Sequence, residues 1–149
     1  GGTGSESIRQ DMPDFLPDRL EAGTLNVQGI AGLNAGMRYL RHVGIDTVFR
    51  REHHQAKRTA EKLQKLGFRV FAGDHQAGTV SFLPGMGCEE AAEKLGRQGI
   101  ALRAGLHCAP LAHESAGTLN TGTLRISFGH DAQNCHTEAL IRAVSKLQP

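Results

Sequence analysis

Beginning at Ile30, apolar residues return every three or four positions, at Leu33, Met37 and Leu40, and predict a helix with one apolar face that stops near Gly44. A second helix follows, which Asp46 can cap. Ile45, Val48, Phe49, Ala56, Ala60, Leu63 and Leu66 form its apolar stripe, most of its charges fall on the other side, and Gly67 ends it. The period then drops to two. Phe68, Val70 and Ala72 alternate with polar partners, Gly73 and Asp74 mark a turn region, and 79–83 supplies a second strand bounded by Pro84 and Gly85, so the two predict a hairpin. Glu89 and Glu90 enrich the first turn of a helix whose short apolar face is Ala91, Ala92 and Leu95, with Gly99 closing it. Next come a short strand over 100–103, a polar loop over 105–122, and a strand through Leu124, Ile126 and Phe128. A final helix, capped by Asp131 or Asn134, carries the stripe His136, Ala139, Leu140, Ala143, Val144 and Leu147. From 68 onward this is an α+β pattern, a sheet with helices packed on one face. Residues 1–26 show no such period and read as extended loop, an unusual opening for a small domain.

The chain's 149 residues suffice for one domain, or for a small domain and a piece of another. Its 17 basic residues are interspersed with 15 acidic ones for a net charge of +2, so charge lends no support to a nucleic-acid or membrane-surface role. No run of apolar residues is long enough for a spanning helix, and mean hydropathy is −0.32. Glycine is abundant, 19 of 149 against a usual share of roughly 7%, which signals tight turns and close backbone approaches. The three cysteines, Cys88, Cys108 and Cys135, are odd in number and lack Cys-x-x-Cys spacing, so free thiols in a reducing compartment, the cytoplasm, are expected. The chain opens on glycines without an initiating Met and is expected to be a piece of something longer.

The long loop concentrates the candidate chemistry. Cys108 follows His107 and lies near Arg103, and only a thiolate, favoured by nearby positive charge, is a nucleophile. An ordinary loop cysteine fits the same residues, and a metal site from His107, Cys108 and His113 is a third reading that lacks a second ligand pair, so no metal is expected. Arg125 alternates with core-facing Leu124 and Ile126, so it projects from the opposite sheet face, where it could clamp a carboxylate or merely line a solvated surface. Thr24, just ahead of the first helix, could offer a hydroxyl to an anion, or the segment could simply be a helix start capped by Asn26. Cys88 and Cys135 are expected to be half-buried small hydrophobes.

Five segments taken together carry a resemblance. Gly1-Gly-Thr-Gly-Ser5, Leu16-Pro-Asp-Arg-Leu-Glu-Ala-Gly-Thr-Leu-Asn26, Gly29-Ile-Ala-Gly-Leu33, Arg103-Ala-Gly-Leu-His-Cys-Ala109 and Gly122-Thr-Leu-Arg-Ile-Ser127 occur in the order seen in class V aminotransferases. More narrowly, the chain resembles the cysteine desulfurase branch, in which an Arg-x-Gly-x-His-Cys-Ala loop bears the reactive cysteine. The resemblance implies the C-terminal part of a fold-type I enzyme that uses pyridoxal 5'-phosphate (PLP). Residues 1–44 would be the end of the large PLP-binding domain and the start of the linking helix, and residues 45–149 the C-terminal small domain. Cys108 would take sulfur from L-cysteine as a persulfide, leaving alanine. Arg125 would hold the substrate carboxylate, Arg103 would assist with substrate or thiolate, and Thr24 would contact the PLP phosphate across a homodimer interface. A sulfur-acceptor protein is an implied partner; nucleic acid and membrane are not. The family's Schiff-base lysine lies in a Ser-x-His-Lys-like segment that Lys57, Lys62, Lys65, Lys94 and Lys146 do not match, so this chain alone is expected to be inactive. Pro110 follows Ala109 directly, one residue earlier than in the better-known desulfurases, which leaves the substrate less fixed than the family. An aminotransferase or selenocysteine lyase on the same scaffold, and a free-standing thiol-carrier module, are the alternatives.

Overall fold

The computed structural model describes residues 5, 6 and 8–147, so residues 1–4 of the first family-like segment lie outside the described residues. The chain divides into two compact units, one ending at Val43 and one beginning at Gly44.

In the first unit, a single 3-10 turn (Asp18–Leu20) precedes helix α1 (Val27–Val43). Asn26 caps α1, its side-chain oxygen accepting from the Gly29 N–H at 2.9 Å. No residue of α1 is buried, and the expected apolar stripe of Ile30, Leu33, Met37 and Leu40 is 38 to 63% exposed.

The second unit carries helix α2 (Ile45–Lys65), strands β1 (Val70–Phe71) and β2 (Thr79–Phe82), helix α3 (Cys88–Gly96), strand β3 (Arg103–Gly105), helix α4 (Pro110–Ala116), strand β4 (Thr123–Ser127) and helix α5 (Asn134–Val144). The strands form an antiparallel sheet in the order β1-β2-β4-β3, with the expected hairpin pairing Val70 with Phe82 and Phe71 with Ser81. Side chains alternate across a sheet, so Val80, Phe82, Leu124 and Ile126 point to one face. There they join Ala56, Ala60 and Leu63 of α2, Ala91 and Leu95 of α3, and Leu140, Ala143 and Val144 of α5 in one core. A polar staple links α2 to α5: Thr137 donates to Gln55 Oε1 at 2.8 Å in the buried layer, and at its edge Gln55 Nε2 donates to Asn134 Oδ1 at 3.2 Å.

Several elements differ from expectation. Asp46 lies inside the first turn of α2, whose N-cap is Gly44 with no side-chain hydrogen bond. The α2 stripe is narrower than predicted, since Ile45 and Phe49 are exposed while Gln55 and Thr59 are buried. The strand expected over 100–103 falls at Arg103–Gly105, because Ile100 and Leu102 pack against the core before the chain joins the ladder. Helix α5 is capped by a Gln133–His136 capping box, since the Asn134 side chain is taken by Gln55. The loop over 105–122 contains α4, which starts on Pro110 at its N-terminus and stops at Gly117, whose φ of 68° only glycine adopts freely. This short helix lies over the other sheet face, where its Ala112, His113 and Ala116 meet Phe71, Ser81 and Thr123 around a cavity of about 150 Å³. Gly122 returns the chain to the sheet with φ 63°, its Cα so close that a Cβ would come within 2.9 Å of Gly105 Cα. Among the described residues no helix is long and apolar enough to cross a membrane.

Candidate active site

Four residues of the candidate set meet on the sheet face away from the core. The β3–β4 register puts Arg103 directly opposite Arg125, and the β2–β4 register puts Ser81 on the other flank of Arg125. Arg125 is half-buried between the buried Leu124 and Ile126, as the alternation requires. Its Nε is buried and has no hydrogen-bond partner among the described residues.

Between β3 and α4 the chain reverses at Leu106–Ala109, with the Ala109 N–H donating to the Leu106 carbonyl at 2.9 Å. The two central residues, His107 and Cys108, have φ of 53° and 60°. Consecutive positive φ is the signature of a turn that normally takes Asn-Gly, and each non-glycine residue there costs about 1–2 kcal/mol. Strain of this kind persists only where surrounding contacts impose it. Here the turn holds the exposed Cys108 out to solvent, with Arg103 Nη2 donating to Sγ at 3.6 Å.

His107 supplies the restraint. Its Nε2–H donates to the Thr123 carbonyl at 3.2 Å and lies 3.1 Å from the Thr123 hydroxyl. A carbonyl can only accept, so Nε2 carries the hydrogen. Burial, then the positive charge of Arg125, and further His113 and Arg103, push the His107 imidazole below its ordinary pKa despite the bond to Thr123. The neutral ring therefore leaves Nδ1 bare, and this buried atom has no partner among the described residues. Behind His107 stands His113, with ring centroids 5.8 Å apart and its own Nδ1 hydrogen-bonded to Thr118 Oγ1 at 2.7 Å.

The other cysteines are differently placed. Cys88 opens α3 fully buried, and burial followed by the Glu89 charge pushes its thiol up. Cys135, expected to be half-buried, is exposed because it projects from the outer side of the first turn of α5. His107, Cys108 and His113 do not converge as metal ligands: among the described residues no group of three such side chains does. Thr24 is exposed in the first unit, where Asn26 rather than Thr24 serves the α1 N-terminus. His107 had no clear role in the sequence, which offered His113 only as a candidate metal ligand, while Thr118 carried no signal there. The positive-φ pair and the buried His113 are properties of the folded loop, and no spacing rule announces them.

The α+β unit thus presents an exposed cysteine on a strained turn beside Arg103, whose partner across the ladder is Arg125. The family model for aminotransferase class-V matches residues 3–140, and the chain belongs to that family. It is 35% identical over 135 residues to a probable cysteine desulfurase of Xylella fastidiosa, covering 89% of this chain and 32% of that protein. It is 34% identical over 131 residues to the cysteine desulfurase CsdA of Escherichia coli, covering 87% and 32%. Among solved structures, an apo cysteine desulfurase of Thermococcus onnurineus superposes with a TM-score of 0.81 at 35% identity, over 88% of this chain and 33% of that one. The E. coli enzyme CsdA, in an S-sulfonic acid form, superposes with a TM-score of 0.80 at 34% identity. The chain thus spans about a third of the length of these relatives.

Proposed function

We propose that this chain is the C-terminal part of a PLP-dependent cysteine desulfurase, with Cys108 as the residue that takes the sulfur. The observation that carries the reading is the placement of Cys108 Sγ, exposed on a strained turn and bonded by Arg103, whose ladder neighbour is Arg125. Residues 1–44 then end the large cofactor domain and 45–149 form the small domain. The exposed stripe of α1 supports this, since such a stripe wants cover that its own unit lacks.

On this reading Arg125 fixes the carboxylate of L-cysteine through the fork of its guanidinium donors. Arg103 pairs with the sulfur in its anionic form, the form that attacks. PLP, when bound, supplies the electron sink that weakens the carbon–sulfur bond. The Cys108 thiolate attacks the substrate sulfur: the S–S bond forms as the carbon–sulfur bond breaks, the electron pair stays on the carbon skeleton, and uptake of a proton there gives alanine. Cys108 is left as a persulfide. His107 keeps its proton on Nε2, bonded to Thr123, and so holds the turn while sulfur moves.

The residues present fit PLP at one edge only. Thr24 offers an exposed hydroxyl for its phosphate, while Lys62 and Lys94 are paired with Glu138 and Glu90 and none of the five lysines lies in the required segment. The chain by itself should therefore be inactive. The whole enzyme should be a cytoplasmic homodimer that hands sulfur to an acceptor protein. Replacing Cys108 by Ala in the longer protein tests the reading: sulfide release from L-cysteine is lost with cofactor absorbance intact, whereas unchanged release would refute the role of Cys108.

A further inference from the structure

We propose that His113 is a positioning residue for Cys108 and acts through the His107 ring; this rests on the reading of Cys108 as the nucleophile. The two left-handed residues of the turn need an external restraint. On one side His107 is held by its hydrogen bonds to Thr123. On the other it meets His113, at a centroid separation of 5.8 Å and an interplanar angle of 44°, within the range of attractive ring pairs.

His113 is well placed to be a fixed wall. It is the sole buried residue of α4, at 7% exposure. Its ring is pinned by the 2.7 Å bond to Thr118 Oγ1, and its backbone carbonyl accepts the Thr118 N–H at 2.8 Å. Thr118 itself is buried. The C-terminal end of α4 is tied to the sheet by Arg69, which donates to the Ala116 carbonyl at 2.8 Å while stacking over Phe71. Beneath His113 lies the 150 Å³ cavity shared with Thr123, so the space vacated by truncating the ring would join an existing void. His107 would then be free to swing, the turn would relax toward ordinary φ, and Sγ would leave the Arg103 guanidinium.

The consequence is a charge preference that can be read without cofactor or turnover. A nearby guanidinium raises the rate with an anionic alkylating agent relative to a neutral one, compared with the same ratio at a sulfur that has no such neighbour. Timed labelling of the full chain with iodoacetate or iodoacetamide, resolved by peptide mass spectrometry, gives this ratio for Cys108, with the exposed Cys135 as internal reference. Attraction between unit charges a few ångströms apart in water corresponds to a ratio at Cys108 roughly fivefold above that at Cys135. His113→Ala should bring Cys108 to the Cys135 value, and His113→Phe, which keeps a ring against His107, should preserve the excess. Thr118→Val, which removes the hydroxyl at nearly constant volume, should lower it partway and serves if His113→Ala does not fold. Arg103→Gln should abolish it. An unchanged ratio in folded His113→Ala or Thr118→Val overturns the proposal, as does a parent Cys108 ratio no higher than that of Cys135. Loss of desulfurase turnover in the longer protein with this pattern intact would strike the proposed function and leave the positioning role standing.

Discussion

Arg103 and Arg125 face each other directly across the β3–β4 ladder, two guanidinium groups on adjacent strands of one sheet face. Like charges in this relation destabilise a sheet, and among the described residues neither takes part in an ion pair. The arrangement is one that a bound carboxylate relieves. Arg103→Gln should therefore stabilise the chain by about 0.2–1 kcal/mol in urea denaturation. It should also reduce the rise in melting temperature that a small carboxylate produces in the parent. A loss of stability in this variant would show that repulsion between the two is not felt.

The turn at 107–108 offers a trade of stability against chemistry. Cys108→Gly removes the side chain that makes φ of 60° costly and should raise stability by about 1–2 kcal/mol. Cys108→Ala keeps the strain and should leave stability within about 0.5 kcal/mol of the parent. Both remove the thiol. Chemical denaturation of the three proteins side by side checks the contrast, and equal stability for all three would mean the turn is unstrained.

His107 makes stability depend on pH. Its pKa is lower folded than unfolded, so between the two values the unfolded chain binds more protons and stability falls as pH falls. The contribution is complete above the unfolded value of about 6.5 and is lost as pH drops through the folded one. His107→Gln, whose amide N–H can replace Nε2–H toward Thr123, should flatten the stability profile in this window. The titration is followed by melting temperature at a series of pH values, with a profile as steep as the parent's counting against the assignment.

The core was legible because its signals are periodic: the alternation of Val80, Phe82, Leu124 and Ile126 and the helical spacing of Ala56, Ala60 and Leu63 each reach one face. The candidate residues Cys108, Arg103 and Arg125 stood out in the sequence as chemistry in order along the chain. Their proximity did not, since the opposition of Arg103 and Arg125 depends on strand register, and the strand was expected three residues early. Helix α4 escaped because seven residues hold too few turns to show a period, and its one inward residue is a histidine, which a hydrophobic pattern passes over. Thr24 sits in the first unit, so no geometry within the second bears on it.

Gly122 should tolerate no side chain. Its φ of 63° and the 2.9 Å approach of a Cβ to the Gly105 backbone combine strain with a clash that no rotamer relieves. Gly122→Ala should cost more than about 1 kcal/mol and loosen β3 from β4, read as lost amide exchange protection at Ala104 and Gly105. Protection equal to the parent's would show that the strands do not need this contact.

In the proposed function sulfur passes to Cys108. The most direct measurement is intact and peptide mass spectrometry of the longer PLP-loaded protein, quenched after brief exposure to L-cysteine without an acceptor. One added sulfur atom is expected on the peptide bearing Cys108, with Cys88 and Cys135 unmodified. Sulfur on another cysteine, or alanine formed in step with substrate loss while Cys108 stays a free thiol, would contradict it.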